Sequence, residues 1–247
     1  MLKNDGPFFL AKTSVNTCML VSYSKQFIYV KTMKTAGTST EAWLERYCLP
    51  PTVTDIGEHS RFMTVTEYGI VGGRYHGVRV NDPFYNHMPL HEIRDRMVHE
   101  CPWAFDNFNK IANCRNPWDR MVSLFWNHNK HQLDYLRTAP FDKVQHLFYK
   151  FIRSKSTAQR MWEEESRYCI DGKFDIDYMI RYEHLHDDLE ELARQLDVEL
   201  DWSLFPRHKT EWRVRPERYQ DYYLDQKSID AVRVGSAFEI RQFGYAF

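Results

Sequence analysis

Val30-Lys31-Thr32-Met33-Lys34-Thr35-Ala36-Gly37-Thr38-Ser39 lies between two segments of different period. Gln26-Phe27-Ile28-Tyr29-Val30 before it is a β-branched and aromatic run of the kind found in buried strands. Thr40-Glu41-Ala42-Trp43-Leu44-Glu45-Arg46-Tyr47 after it reads as a helix. The basic stretch is therefore a strand-to-helix turn. Thr38 and Glu41 have capping-box spacing, which starts the helix at about Thr38 or Ser39. Gly37 lets the backbone approach a ligand closely, Ala36 keeps side chains out of the way, and the amides of the first helical turn point at whatever sits there. That combination suits an anion, with Lys34 as a fixed positive charge at its edge. A nucleoside-triphosphate P-loop would need the lysine directly after its last glycine, whereas here Lys34 precedes Gly37.

A second turn of the same kind follows. Phe108-Asn109-Lys110-Ile111-Ala112-Asn113-Cys114 is another buried-strand candidate and runs into Arg115-Asn116-Pro117-Trp118-Asp119-Arg120-Met121-Val122-Ser123. Asn116 is a good N-cap, Pro117 suits the first helical position, and Asp119 favours the positive helix end. Trp118, Met121, Val122 and Phe125 recur at helical spacing as a packed face, while Arg120 and Ser123 share another. Arg115 stands at the carboxyl end of its strand, the side of an α/β sheet where ligands bind. An isolated arginine also commonly pairs with a carboxylate or caps a neighbouring helix.

Between the two turns, Asn86-His87-Met88-Pro89 leads into a helix over residues 90–98, for which Pro89 suits the start. His87 sits just outside that helix, where a side chain can face a cleft, with Glu58, Glu92 and His91 as rival bases. Pro89 separates His87 from His91, so their spacing is a poor metal pair, and no metal is expected.

The 247 residues suit one large α/β domain, taken as spanning 1–247. Thirty-three basic against thirty-four acidic residues leave a net charge of −1, so no global field draws the chain to nucleic acid. The five scattered cysteines suggest neither a disulfide framework nor a zinc ribbon, and no run approaches the ~20 apolar residues of a membrane span. Reduced cytoplasm, no membrane partner and an open oligomeric state are the expectations.

Cys18 to Tyr23 reads as an edge strand ahead of the loop strand. Residues 52–86 show no clear period and are expected to be an irregular insertion facing substrate, with Arg74 among its contacts. Helical patterns occur at Val144–Phe151 and Gln159–Trp162, although residues 131–174 as a whole are poorly legible. Asp177 to Tyr182 reads as a strand, followed by a helix with its core stripe at Leu185, Leu189, Leu192 and Leu196. Pro206 to Arg213 is a basic loop whose Lys209 and Thr210 suit either a lid or a solvated surface. Ile229, Val232, Ile240 and Phe243 close the chain at helical spacing.

The two turns together resemble the sulfotransferases that use 3′-phosphoadenosine-5′-phosphosulfate (PAPS), in the branch that includes glycosaminoglycan sulfotransferases and bacterial relatives. Lys34-Thr35-Ala36-Gly37-Thr38-Ser39 is like that family's 5′-phosphosulfate loop, and Arg115 to Ser123 is like its 3′-phosphate element. Asn86-His87-Met88, Ile180 to Leu185 and Phe243-Gly244-Tyr245 look like further family features. The usual proline before the loop lysine is Met33 here. The resemblance implies a three-layer α/β/α fold around a mainly parallel sheet with P-loop-like topology. It also implies a cofactor site in which the amides of Thr35, Ala36, Gly37, Thr38 and Ser39, with the hydroxyls of Thr38 and Ser39, hold the 5′-phosphate. Arg115 and Ser123 would hold the 3′-phosphate and Lys209 would close over the nucleotide. Lys34 would neutralise the leaving group, and His87 would take the acceptor's proton. On this resemblance the product nucleotide would be 3′,5′-ADP (PAP), no metal would take part, and the acceptor would be a small molecule or carbohydrate carrying a hydroxyl or amine. A nucleotide-dependent kinase and a non-catalytic nucleotide-binding module are the alternative readings.

Overall fold

Two strands whose residues are all buried form the middle of the molecule: β1 (Met19–Ser22) and β2 (Phe27–Val30). Continuous burial of that kind requires both faces of the sheet to be covered. The computed structural model describes residues 19–53, 63–72, 84, 86–206 and 212–247.

After β2 the chain forms α1 (Gly37–Leu44), then the short strands β3 (Thr64–Thr66) and β4 (Gly69–Val71). Helix α2 (Leu90–Glu100) leads to β5 (Asn109–Cys114) and α3 (Pro117–His128). Three helices follow: α4 (Leu133–Thr138), α5 (Phe141–Ile152) and α6 (Lys155–Trp162). A small hairpin of β6 (Cys169–Ile170) and β7 (Lys173–Phe174) precedes β8 (Tyr178–Arg181) and α7 (Leu185–Leu196). The chain closes with α8 (Gln226–Gly235) and α9 (Ala237–Phe243).

The central sheet has the order β3-β4-β1-β2-β5-β8. β2 pairs parallel with β5, and β5 with β8, while β1–β2, β1–β4 and β3–β4 are antiparallel. The sheet is thus mixed, not mainly parallel as expected; parallel pairing is confined to the half that carries the strand-to-helix turns. Two further expectations change with it. The strand ahead of β2 is interior, because β4 pairs on its other side, and part of the segment expected to be irregular forms the β3–β4 hairpin that supplies that pairing.

Alternate residues of the strands build two cores. Met19, Val21, Ile28 and Val30 pack with Leu90, Ile93 and Met97 of α2 on one face. Leu20, Phe27, Tyr29 and Ile111 pack with Trp43 and Leu44 of α1 and the Leu189, Leu192 and Leu196 stripe of α7 on the other. A third apolar cluster joins α3, α5, α6 and α8 through Trp118, Phe125, Phe148, Met161 and Val232. Arg120 does not share Ser123's surroundings. Its buried guanidinium lies 3.1 Å from Glu164 and 2.6 Å from Glu239, while Arg167 reaches Glu164 at 2.8 Å. Two cations and two carboxylates thus balance one another out of contact with water, the condition under which buried charge is tolerated.

Burial pushes the Glu239 carboxyl up to about 6, against the pull of Arg120. A carboxyl that holds its proton more tightly when folded adds stability below the unfolded pKa, and loses it as pH rises through the folded value. Glu239→Gln removes this titration. The unfolding free energy of the native protein relative to that variant should therefore fall by about 2 kcal/mol between pH 4.5 and 7; denaturant titrations across that range check the sign, and a flat difference contradicts it.

Candidate active site

The parallel register sets the site. Val30 is opposite Ala112, and Cys114 is opposite Arg181, so the three strands end at one edge and the residues that follow them become neighbours. Thr32 Oγ1 accordingly donates to the Asn113 carbonyl at 2.7 Å, and the Arg115 guanidinium lies 3.8 Å from the centre of the Tyr182 ring.

The first turn is held from below. The Tyr29 hydroxyl lies 2.6 Å from Asn113 Oδ1 and 3.1 Å from the Gly37 carbonyl oxygen, and Asn113 Nδ2 donates to Thr40 Oγ1 at 3.1 Å. A Cβ at Gly37 would stand 3.1 Å from the Tyr29 hydroxyl and 3.3 Å from the Thr32 carbonyl oxygen. The glycine therefore accommodates the protein beneath the loop. Lys34 and Ala36 both adopt left-handed backbone (φ 61° and 67°), each at a cost of about 1 kcal/mol to an L-residue.

The expected capping box does not form. Helix α1 starts at Gly37 after Ala36, with no side-chain cap, and Glu41 turns instead to Lys31 at 2.6 Å. The Ser39 and Thr40 amides donate to the Ala36 carbonyl oxygen at 2.9 and 3.2 Å. The Met33 amide donates to Glu164 at 2.7 Å.

The second turn matches expectation: the Asn116 side chain caps α3 by accepting from the amides of Trp118 and Asp119. Arg115 does pair with a carboxylate, donating from Nε and Nη2 to Asp119 Oδ2 at 2.8 and 2.6 Å, and its Nη1 reaches the Lys34 carbonyl oxygen at 3.1 Å. The other oxygen of Asp119 accepts from Arg213 at 2.9 Å. One carboxylate thus orients two arginines towards the same space.

His87 has left-handed backbone, with φ 60°. Its Nδ1 is 3.3 Å from the Lys31 carbonyl oxygen, which can only accept, so the contact is a hydrogen bond in the tautomer that carries its proton on Nδ1. Lys34 Nζ lies 4.9 Å from the centre of the Trp212 ring, and Lys130 Nζ lies 5.6 Å from it.

A cleft of about 660 Å³ brings together Lys34, Thr35, Ala36, Gly37, Thr38, Ser39, His87, Arg115 and Ser123. Arg74, Lys209 and the rival Glu58 lie outside the described residues, and His91 and Glu92 are not among the lining residues. The sequence reading missed Lys31, Arg213 and an apolar end formed by Leu185, Trp202, Phe205 and Pro206. His186 stacks on Trp202 there, with centroids 4.3 Å apart and planes at 9°. Lys31 sits inside the first turn but carried no separate signal there, and Trp202 and Phe205 stand singly in a segment with no strand-to-helix signal; only the basic character of the loop around Arg213 pointed towards that side. Among the described residues no group of three His, Cys, Asp or Glu side chains is set for a metal ion, and no helix is long and apolar enough to cross a membrane.

A model of the sulfotransferase family matches residues 18–231, which include both turns and every residue lining the cleft. The chain belongs to the sulfotransferase family. No curated protein and no solved structure gives a significant match. Membership makes sulfuryl transfer the general activity.

The Met33 amide decides what the residue before Lys34 can be. Met33→Pro removes the donor and leaves Glu164 Oε1 without that partner in a buried site. The loss of roughly 1–3 kcal/mol exceeds the roughly 0.4–1 kcal/mol that proline gains by restricting the unfolded chain. Met33→Pro should therefore unfold at lower denaturant concentration than Met33→Ala, which keeps the amide; equal midpoints would contradict the role of this hydrogen bond.

Proposed function

We propose that the protein transfers a sulfuryl group from PAPS to a hydroxyl or amine of a small-molecule or carbohydrate acceptor. The observation that carries this reading is the convergence of two anion-binding turns and His87 on one cleft. The backbone of Thr35 to Thr38, with the Thr38 and Ser39 hydroxyls, suits the 5′-phosphate. Arg115, Ser123 and Arg213 suit the 3′-phosphate, the arginines through charge-assisted donors that Asp119 aims. The apolar end with Trp202 and Phe205 has the flat ring surfaces that a nucleobase packs on. A cleft of this size lies within the usual range for ligand pockets of roughly 300–1,000 Å³.

In the transfer, the bond between sulfur and the bridging phosphate oxygen breaks as the acceptor's oxygen or nitrogen bonds to sulfur, and PAP leaves. Lys34 stabilises the charge that develops on the bridging oxygen. His87 accepts the acceptor's proton at Nε2, the nitrogen left with the lone pair by the Nδ1 contact to Lys31. Lysine, arginine and backbone amides supply the positive charge this chemistry needs. The near-neutral net charge of −1 favours an acceptor of low charge over a highly sulfated polymer, which would require a basic track. Arg74 and Lys209 remain candidates for acceptor and nucleotide contacts.

Arg115→Ala should raise the Kd for PAP about ten- to a hundredfold, the equivalent of ~1.5–3 kcal/mol, in calorimetric titrations. Unchanged affinity would remove Arg115 from the nucleotide site. His87→Gln should lower sulfate transfer from labelled PAPS by roughly 10²–10⁴-fold while PAP affinity stays within about threefold, and Lys34→Ala should likewise reduce turnover more than binding. Near-native turnover in His87→Gln would mean that another group takes the proton.

A further inference from the structure

Glu164 and Arg167 touch neither turn's ligand-facing side, yet both reach the walls of the cleft from behind. The Glu164 carboxylate is fully buried; one oxygen accepts the Met33 amide at 2.7 Å, and the other accepts from Arg167 Nη1 at 2.8 Å. Arg167 Nε donates to the carbonyl oxygen of His87 at 2.8 Å. The His87 ring returns to the Lys31 carbonyl, two residues before Met33. The contacts close a ring: the phosphosulfate loop, Glu164, Arg167, His87 and the loop again.

From this geometry we infer that Glu164 and Arg167 are positioning residues that fix the His87 imidazole relative to the loop. This rests on the reading of His87 as the base of sulfuryl transfer. Left-handed backbone disfavours an L-residue, so His87 needs an external hold, and the hydrogen bond to its carbonyl from a nearly buried arginine supplies one. Glu164 fixes that arginine and the Met33 amide with the same carboxylate. The distance between the base and a sulfuryl group beside Lys34 is thereby set through side chains from the segment after α6. The same hold keeps Nδ1 facing the Lys31 carbonyl, and so selects Nε2 for the proton. Removing Arg167 takes this donor from the His87 carbonyl and loosens the hold that keeps the ring at the Lys31 carbonyl.

The test uses Arg167→Met, with Arg167→Lys as the conservative variant, in the full chain. Long-range ¹⁵N NMR of the imidazoles, with His87→Gln to assign the His87 signals, reads the tautomer directly. The native protein should show protonated Nδ1, and Arg167→Met should show a mixture of tautomers while the other histidines and PAP affinity change little. PAPS hydrolysis to PAP and sulfate, with water as the acceptor, should slow roughly ten- to a hundredfold in Arg167→Met. Arg167→Lys should recover part of this. In a His87→Gln background the Arg167→Met change should have an effect of less than about twofold, because the residue it acts through is gone. Unaltered His87 signals in Arg167→Met, or equal slowing with and without His87, would overturn the inference. Near-native turnover in His87→Gln would instead overturn the base assignment, and the NMR result would still report whether Arg167 holds the ring.

Discussion

The parallel register of three short strands is the constraint on which the rest of the site depends. Val30 faces Ala112 and Cys114 faces Arg181, so the chain leaves β2, β5 and β8 within a few residues of a common line. Each exit does something different there: a loop into α1, a capped turn into α3, and Tyr182 beneath the Arg115 guanidinium. A slip of one residue in either pair would send alternate side chains to the opposite face. It would also separate the Thr32 hydroxyl from the Asn113 carbonyl. The antiparallel half of the sheet, β3-β4-β1, contributes no residue to the cleft and serves to cover the far edge of β2.

Behind that edge the protein uses buried charge as a framework. Glu164 gathers Arg120 of α3, Arg167 and the Met33 amide, and Glu239 of α9 takes the second end of Arg120. An apolar cluster of the same volume would be as stable or more so, since desolvation offsets much of the attraction between buried ions. Hydrogen-bonded charges have one thing apolar packing lacks, which is direction. Three helical segments distant in sequence are held relative to the loop because hydrogen bonds weaken steeply away from their preferred geometry.

How much of this the sequence disclosed follows from the range of the interactions. Both strand-to-helix turns were legible because their signals are local: Asn116-Pro117-Trp118-Asp119 specifies a helix start within four residues, and Lys34 to Ser39 carries its own glycine and hydroxyls. The position of β1 within the sheet was not legible, because its second partner is a three-residue hairpin strand whose pairing nothing local announces. The Thr38–Glu41 spacing misled for a related reason. A capping box is a local option, and a buried Lys31 just after β2 offered Glu41 a stronger charged partner. Arg213, Trp202 and Phe205 were out of reach, since single residues become a wall of the cleft only after the chain folds back on itself.

Met33 shows how local and tertiary constraints substitute for each other. In the family pattern a proline stiffens the chain before the loop lysine through its own ring, a restriction present even in the unfolded chain. Here the same position is held by a hydrogen bond to a carboxylate 131 residues away. The loop therefore reaches its final geometry only when the segment after α6 has docked. That docking also brings Arg167 to the carbonyl of His87. One docked segment thus supports both the loop before α1 and His87, through the Met33 amide and the His87 carbonyl.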